Sequence, residues 1–314
     1  MKEKHIQGNN FKVIKQQFGF EFNPDWIEQI KNESINYNQN YDGVENLIAI
    51  SDIHGQYNTL VKLLKVHNVI DENYNWIYGN GHLVINGDIM DRGPRVTESL
   101  WLIFLLEQQA KQHGGMVHVL LGNHEIMVLG NDLRYIRNKY VKTSKLMNTS
   151  YNQLFAKNTF MGEWLRKKSA IVSINDMLFV HAGISPEFIK QGFTIVDANR
   201  IFIDNIIGVN EDTIMKDSVL TFMTGEKGPV WFRGYFSNGQ LNESQIDSIL
   251  NHFNKKRIIV GHNSLPNITS FYNGKVLGID SDIQDGYYGE LLIYENGNYY
   301  RGTILGNRIK LENN

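Results

Sequence analysis

The chain has 314 residues, of which 42% are hydrophobic, with a formal net charge of −2 and no cysteine. This length suits one large domain, and the small charge gives no electrostatic basis for binding nucleic acid or an anionic membrane. The absence of cysteine excludes disulfides, a thiolate nucleophile and cysteine-ligated zinc. No apolar run approaches the roughly 18–20 residues of a membrane helix, and the N-terminus has no apolar signal core. We therefore expect a cytoplasmic protein, although a chain whose leader had been removed would look the same.

The first 46 residues differ in pattern from the rest. Residues 1–46 are weakly patterned, and we interpret them as an N-terminal extension to a single catalytic domain at 47–314. Within the extension, Pro24 and the apolar spacing of Trp26 and Ile30 predict one short helix.

Short apolar runs alternate with helical patterns at the start of the domain. The runs lie at 47–50, 83–86 and 117–121, and the helical patterns lie around 60–66 and 96–112. This alternation predicts a βαβαβ unit with buried parallel strands. Each run stops at a cluster of polar residues, and the carboxyl ends of such strands form the edge where ligands bind in open α/β sheets.

The second half of the domain mixes helices with hairpins. The sequence predicts a mainly helical region around 126–170 and a hairpin over 170–181, followed by helices and loops up to 255. Further strands flank the Asn-Gly turns at 273–274 and 296–297, which are good hairpin signals. The fold class is therefore α/β.

Residues that can bind metal ions follow five of the predicted strands. They are Asp52 and His54, Asp88, Asn123 and His124, His181, and His262. We expect Asp52 and His54 to lie in an extended segment, so that both side chains point to the same side. The Asp88 carboxylate can bridge two ions, and Asn123 offers a neutral oxygen. This joint pattern predicts two divalent ions, with Mn²⁺ as the first candidate and Fe or Zn²⁺ as the alternatives.

Two such ions suggest hydrolysis of a phosphate ester. Ions roughly 3.5–4 Å apart lower the pKa of a shared water to about 7, so that a bridging hydroxide can attack phosphorus. His124 would then protonate the leaving oxygen, and Asp91 would orient its imidazole and raise its pKa. Arg92 and Arg233 would bind the outer phosphate oxygens.

Several of these residues also have a simpler interpretation. Arg92 could form a structural salt bridge, and Arg233 could stack on the aromatic residues beside it. For the basic stretch from Arg134 to Lys142 we prefer a solvated surface over a wall that orients a phosphorylated substrate. The other histidines are assigned structural roles: His5, His67, His82, His113, His118 and His252.

Five motifs carry a resemblance to a known family. They are Ser51-Asp52-Ile53-His54-Gly55, Gly87-Asp88-Ile89-Met90-Asp91-Arg92-Gly93, Gly122-Asn123-His124-Glu125, His181-Ala182-Gly183 and Gly261-His262. Together they resemble the phosphoprotein phosphatase (PPP) family of calcineurin-like metallophosphoesterases. Segments at 130–135, 229–234 and 278–280 resemble its Shewanella-like branch.

The resemblance implies a metallophosphoesterase fold, with a central β-sandwich of mixed sheets flanked by helices. It also implies a phosphatase acting on phosphotyrosine, phosphoserine or phosphothreonine in proteins, or on small phosphomonoesters. The implied site assigns Asp52, His54 and Asp88 to the first metal, and Asp88, Asn123, His181 and His262 to the second. It assigns His124 with Asp91 to the acid, and Arg92, Arg233 and Asn123 to substrate binding.

Two other functions stay open at this point. A dinucleoside polyphosphate hydrolase or phosphodiesterase would share the metal motifs, but in the former the third motif usually ends in Asp, where this chain has Glu125. A non-catalytic scaffold would typically lack a ligand or the acid, and none is missing here. Two departures from the family pattern are Ser51, where Gly is usual, and Asn263, where Thr is common and whose local hydrogen bonding is therefore in question.

Overall fold

Two six-stranded mixed sheets form the centre of the protein. The structure, a computed structural model, describes residues 15, 19, 21, 23–236 and 241–312. The first sheet contains β2 (Asn46–Ile50), β3 (His82–Ile85), β4 (Met116–Val119), β10 (Glu290–Glu295), β11 (Asn298–Thr303) and β12 (Arg308–Lys310). The second contains β1 (Asn40–Tyr41), β5 (Ile171–Ile174), β6 (Met177–Val180), β7 (Arg257–Val260), β8 (Thr269–Phe271) and β9 (Val276–Gly278). The strand orders are β12-β11-β10-β2-β3-β4 and β1-β5-β6-β7-β9-β8.

The predicted βαβαβ unit is confirmed. Strands β2, β3 and β4 are parallel, with Ile48 opposite Leu83 and Val84 opposite His118. Strand β10 joins β2 in the antiparallel direction, with Leu292 opposite Ala49. In the second sheet, β6 and β7 are parallel. A candidate ligand follows each of five strands, namely β2, β3, β4, β6 and β7.

The facing sheets bury a common apolar layer. Ala49 and Val84 of the first sheet pack with Phe179 and Ile259 of the second, and all four are fully buried. Because the outer faces of the sheets are also covered, the parallel strands are continuous apolar runs without alternation.

Helices flank both sheets. The α-helices are α1 (Asp25–Asn32), α2 (Tyr57–Val66), α3 (Val96–Gln112), α4 (Asn123–Leu129), α5 (Asn138–Leu146), α6 (Phe160–Leu165), α7 (Pro186–Lys190), α8 (Ile195–Ile201), α9 (Glu211–Ile214), α10 (Ser218–Thr224) and α11 (Glu243–Phe253). Short 3₁₀ turns lie at Tyr151–Phe155 and Ile283–Asp285, and a π-helical turn at Phe202–Ile206. Helix α3 is apolar nearly all round, and its apolar side chains are covered on nearly all sides. The residues from Leu102 to Leu106 are buried, and the half-buried Trp101 stacks on Phe160.

The predicted α/β class, with mixed sheets flanked by helices, is confirmed. The helix expected after Pro24 is present as α1, whereas most of residues 1–22 of the predicted extension lie outside the described residues. Two short edge strands, β1 and β12, were not predicted, because each has only two or three residues, which are exposed or half-buried and carry no apolar pattern. Within the described part of the chain, no helix is both long and apolar enough to cross a membrane.

Candidate active site

The predicted metal ligands meet at the carboxyl ends of strands from both sheets. Asp52 and His54 follow β2, and Asp88 follows β3. Asn123 begins α4 just after β4, while His181 and His262 follow β6 and β7 of the second sheet. All six side chains are buried: Asp52, His54, Asp88, Asn123, His181 and His262.

The expectation of an extended segment at Asp52 and His54 was wrong. Both residues adopt left-handed backbone conformations, with φ of 53° and 44°. Their loop is instead paired with the next strand's loop, since the His54 amide donates to the Asp88 carbonyl at 2.9 Å and the Gly55 amide to the Ile89 carbonyl at 2.9 Å. The loop pairing, not strand alternation, therefore sets where these two side chains lie.

Asp88 lies at the centre of the cluster. Its Oδ2 atom lies 3.3 Å from Nε2 of His181, 3.7 Å from Nε2 of His54 and 3.9 Å from Nε2 of His124. Two groups of ligand atoms, each within 4.8 Å of one another, share this carboxylate: His54, Asp88 and His124 form one, and Asp88, His181 and His262 form the other. One carboxylate therefore belongs to both groups of candidate ligands.

Hydrogen bonds orient the imidazole rings for binding a cation. Nδ1 of His54 lies 2.7 Å from the Met90 carbonyl, and Nδ1 of His181 lies 2.9 Å from the Asn86 carbonyl. Since a carbonyl can only accept, these Nδ1 atoms donate, so that Nε2 is the atom of each ring that can bind a metal once it carries no proton. The buried Nε2 of His262 has no hydrogen-bond partner among the residues described. A buried polar atom without a partner needs an explanation, and a bound metal ion would provide one.

The remaining two predicted ligands are tied into the same cluster. Oδ1 of Asn123 lies 3.0 Å from Nε2 of His181. Asp52 stands apart from both groups of three, and its Oδ2 accepts hydrogen bonds from the Ser51 hydroxyl at 2.5 Å and from the His262 amide at 2.9 Å. Ser51, a departure from the family pattern at a position that binds no metal, thus contacts a predicted ligand directly.

The electrostatics of the cluster favour a cation. Burial lowers the pKa of His54 to about 3 and that of His262 to about 2, so both rings are neutral near pH 7. Burial would lower the pKa of His181 as well, but Asp88 outweighs it and raises that pKa to about 10. Burial and then Asp88 raise the pKa of Asp52. Imidazole, carboxylate and amide donors without thiolate fit two divalent ions such as Mn²⁺, Fe or Zn²⁺.

The predicted acid pair is in contact. Nδ1 of His124 lies 2.7 Å from Oδ2 of Asp91, and both side chains are buried. Burial would lower the pKa of His124, but Asp88 and the bond to Asp91 raise it above its ordinary value. The imidazole is thus oriented and kept protonated more easily than a free histidine.

Both predicted phosphate-binding arginines border the cluster. Nη2 of Arg92 lies 3.2 Å from Nε2 of His124, and its Nη1 donates to the side-chain oxygen of Gln284. Nη1 of Arg233 donates to Oδ1 of Asn263 at 2.9 Å and to the His262 carbonyl at 3.2 Å. Asn263, whose hydrogen bonding the sequence left in question, therefore supplies an acceptor for the second arginine.

The basic stretch makes structural contacts. Arg134 pairs with Asp132 at 2.6 Å, and Arg137 donates to the Arg92 carbonyl at 3.2 Å. Lys139 donates to the Pro94 carbonyl at 2.7 Å. These contacts fit the simpler interpretation that we preferred for this stretch.

The remaining histidines have partners away from the cluster. His67, His113 and His252 contact backbone carbonyls of Thr303, Gln109 and Phe193, and His82 pairs with His118. His5 lies outside the described residues.

Glu125 has a role that the sequence analysis missed. Its buried carboxylate accepts hydrogen bonds from four backbone amides at 2.8–2.9 Å. The amides are those of Asp88, Ile89, Met90 and Gly122. It therefore fixes the loop that carries Asp88 onto the start of α4. A glutamate three residues after a helix N-cap is the capping-box pattern, and that pattern was the signal available in the sequence.

Gly122 is required where these two loops meet. A Cβ atom at this position would lie 2.1 Å from Oδ1 of Asp88 and 2.6 Å from its amide nitrogen. No side chain fits in that space, so the motif's glycine is explained by close approach to the central carboxylate.

Comparisons with known proteins bear on this site. A family profile described as "Calcineurin-like phosphoesterase" matches residues 46–266. The crystal structure of a cold-active protein-tyrosine phosphatase from a psychrophilic Shewanella species is 43% identical, with a TM-score of 0.86, and the match covers 90% of this chain and 84% of that chain.

Two curated proteins are more distant relatives. Shewanella-like protein phosphatase 1 of Plasmodium berghei is 29% identical over 268 residues, which cover 81% of this chain and 72% of that protein. A symmetrical bis(5'-nucleosyl)-tetraphosphatase of Vibrio campbellii is 27% identical over 139 residues, which cover 44% of each protein.

We expect divalent ions to stabilise the folded protein through Asp88. At an ion concentration of about 100 times Kd the gain is about 2.7 kcal/mol, which raises Tm by roughly 5 °C for a domain of this size. Thermal melts with Mn²⁺, with Zn²⁺ and with a chelator measure the shift. Asp88→Asn should abolish most of it, and an equal shift in this variant would contradict the central position of Asp88.

Glu125→Gln should weaken metal binding without touching a predicted ligand. An amide cannot replace a carboxylate that accepts four amides, so we expect metal affinity to fall by about 10- to 100-fold and the free energy of unfolding by about 2 kcal/mol. Metal titration and urea unfolding measure the two effects. The exposed Glu226→Gln is the matched control, and equal behaviour of the two variants would refute the role of Glu125.

Proposed function

We propose that this chain, which belongs to the calcineurin-like phosphoesterase family and is a metal-dependent phosphatase, removes phosphate from tyrosine, serine or threonine side chains of proteins. The predicted resemblance to the Shewanella-like branch is confirmed by the relatives above. The name of the 43% identical Shewanella enzyme supports phosphotyrosine as the first candidate substrate.

One observation carries the proposal: a single carboxylate, Asp88, lies between histidines that follow four different strands, β2, β4, β6 and β7. The histidines are His54, His124, His181 and His262. The two arginines border the same point, and the acid pair lies beside it. A phosphate ester is the substrate that needs cations, guanidinium groups and an acid together.

The metal ions would be held by the residues already described. Asp52, His54 and Asp88 would hold the first, and Asp88, Asn123, His181 and His262 the second. When bound, the ions would supply an acidified water as the nucleophile and offset the charge of the phosphate. Mn²⁺ is our first candidate, with Fe or Zn²⁺ as alternatives.

The side chains around the ions would complete the reaction. The Arg92 and Arg233 guanidinium groups would bind phosphate oxygens and turn the leaving oxygen toward His124. His124 would give its Nε2 proton to that oxygen, while Asp91 holds the opposite ring nitrogen and stabilises the charged imidazole.

The alternative substrate is a dinucleoside polyphosphate. A relative of that activity matches only part of the chain, at lower identity than the Shewanella enzyme. Two arginines suit the dianionic end of a monoester better than an internal phosphate. A non-catalytic scaffold is the third hypothesis, and the complete set of ligands and acid argues against it.

The substrate class can be tested directly. Phosphate release by the Mn²⁺-loaded protein is measured on matched phosphotyrosine, phosphoserine and phosphothreonine peptides, with a dinucleoside tetraphosphate in parallel. Asp88→Asn controls for contaminating phosphatases. We expect release from peptides, highest for phosphotyrosine. Cleavage of the dinucleotide alone would overturn the protein-phosphatase proposal, and no turnover of either would favour the scaffold.

Asp91→Asn should shift the pH profile of the reaction. Removing this carboxylate takes away one interaction that raises the pKa of His124. An acid works only while protonated, so activity is lost as pH rises through that pKa, and a lower pKa starts the loss earlier. We expect the basic limb of kcat to move down by about one pH unit. An unmoved limb with a merely scaled kcat would contradict the acid role of His124.

The arginines should control phosphate affinity. We expect Arg92→Ala and Arg233→Ala to raise KM and the inhibition constant of inorganic phosphate by about tenfold or more, with metal content retained. Lysine should rescue only part of the loss, because it lacks the planar fork. Arg134→Ala, which breaks the pair with Asp132, is the control. An equal loss there would revive the hypothesis of a substrate-orienting basic wall.

A further inference from the structure

A glutamine on the last 3₁₀ turn contacts one of the two arginines. Gln284 lies within the turn Ile283–Asp285, outside the five motifs named above. Its side-chain oxygen accepts a hydrogen bond from Nη1 of Arg92. The other terminal nitrogen of Arg92, Nη2, lies 3.2 Å from Nε2 of His124. The guanidinium therefore lies between His124 and this glutamine, and the glutamine accepts its hydrogen bond.

The orientation of the Gln284 amide is fixed by its other partners. Its nitrogen donates to Oδ1 of Asp282 at 2.9 Å and to the Ser264 hydroxyl oxygen at 3.3 Å. Since the aspartate oxygen can only accept, the amide nitrogen must point to it, and the amide oxygen must face Arg92. The carbonyl thus offers the arginine an acceptor in a set direction.

A buried carboxylate that the reaction does not use supports this arrangement. Asp280 is 3% exposed; its Oδ2 accepts from the Ser264 hydroxyl at 2.9 Å and its Oδ1 from the Asp282 amide at 3.1 Å. The chain of hydrogen bonds therefore runs from Asp280 through Ser264 and Gln284 to Arg92.

The turn itself is attached to the first helix of the catalytic domain. The Gln56 side-chain amide donates to the Gln284 carbonyl, and the Thr59 hydroxyl donates to the Gly286 carbonyl at 3.0 Å. Gln56 is the N-cap of α2 and directly follows the Asp52–Gly55 loop. The turn thus has a fixed position relative to the cluster.

We propose that Gln284 is a positioning residue, which holds the Arg92 guanidinium in the plane needed to bind the substrate phosphate. This inference rests on the proposed function of Arg92. An arginine side chain loses considerable rotamer freedom when it binds, and a preset acceptor on one nitrogen removes part of that cost. The second nitrogen faces His124 and remains available for phosphate once substrate approaches.

Substitutions at position 284 should weaken phosphate binding to different extents. Truncation to alanine leaves Arg92 free to reorient, so phosphate binding weakens. A glutamate keeps the length of the side chain but places a negatively charged oxygen beside Nη1 of Arg92. That oxygen competes with phosphate for the same guanidinium. Glutamate should therefore be worse than alanine. Because glutamate also loses the amide that donates to Asp282, a purely structural role is tested by the alanine variant and the double-mutant cycle below.

The test compares Gln284→Ala and Gln284→Glu in the Mn²⁺-loaded full chain. The readouts are kcat, KM for a phosphotyrosine peptide and the inhibition constant of inorganic phosphate. We expect alanine to raise KM and the inhibition constant by roughly 3- to 10-fold, glutamate by more, and kcat to change less than twofold in the alanine variant. Gln191→Ala, an exposed glutamine at the end of α7, should leave all three unchanged. A milder effect of glutamate than of alanine, or a fall in kcat alone, would overturn the proposal.

A double-mutant cycle with Arg92→Ala separates this inference from the proposed function. If Gln284 acts through Arg92, then Gln284→Ala should have no further effect once the arginine is gone. Additive losses would refute the inference while leaving the arginine's role intact. If Arg92→Ala alone leaves phosphate inhibition unchanged, the proposed function of Arg92 fails, and the inference fails with it.

Discussion

The four hydrogen bonds accepted by Glu125 are the constraint on which the rest of the site depends. Six predicted site residues have left-handed backbones: Asp52, His54, Asp88, Asp91, Arg92 and His262, with φ between 44° and 68°. Such conformations cost non-glycine residues about 1–2 kcal/mol each, so the loops need other interactions to persist. Glu125 supplies these for the loop of Asp88, and that loop in turn pairs with the loop of Asp52 and His54.

Histidine side chains that follow strands of both sheets lie around Asp88. His54 follows β2 and His124 lies in the first turn of α4, after β4 of the first sheet, whereas His181 and His262 follow β6 and β7 of the second. The shared apolar layer beneath them is fully buried at positions such as Val84 and Phe179, which fixes the spacing of the two sheets. A rigid interior is what lets residues so distant in sequence share one small site.

Much of the fold and site could be predicted from the sequence, because the strands are short apolar runs that each stop at a potential ligand. Helix α3 was found with its bounds, Val96–Gln112, and strands β2, β3 and β4 to within two residues. The edge strands β1 and β12 were missed because they bury little. The extended geometry expected at Asp52 and His54 was wrong because loop pairing overrides strand alternation there.

The contacts that could not be predicted are those between distant segments. Nothing in the spacing of Gln284 indicates that it meets Arg92, 192 residues earlier, and nothing near Asn263 indicates Arg233. Both depend on how loops of the two sheets come together. The segment from His262 to Ser264 thereby contains a candidate ligand, an acceptor for Arg233 and a link to Gln284.

The most direct test of the central claim, that one carboxylate serves two ions, is a crystal structure of the Mn²⁺-loaded protein with anomalous data at the manganese edge. We expect two anomalous peaks roughly 3.5–4 Å apart, with the Asp88 carboxylate as a ligand of both. A single peak, or two peaks that do not share Asp88, would contradict it.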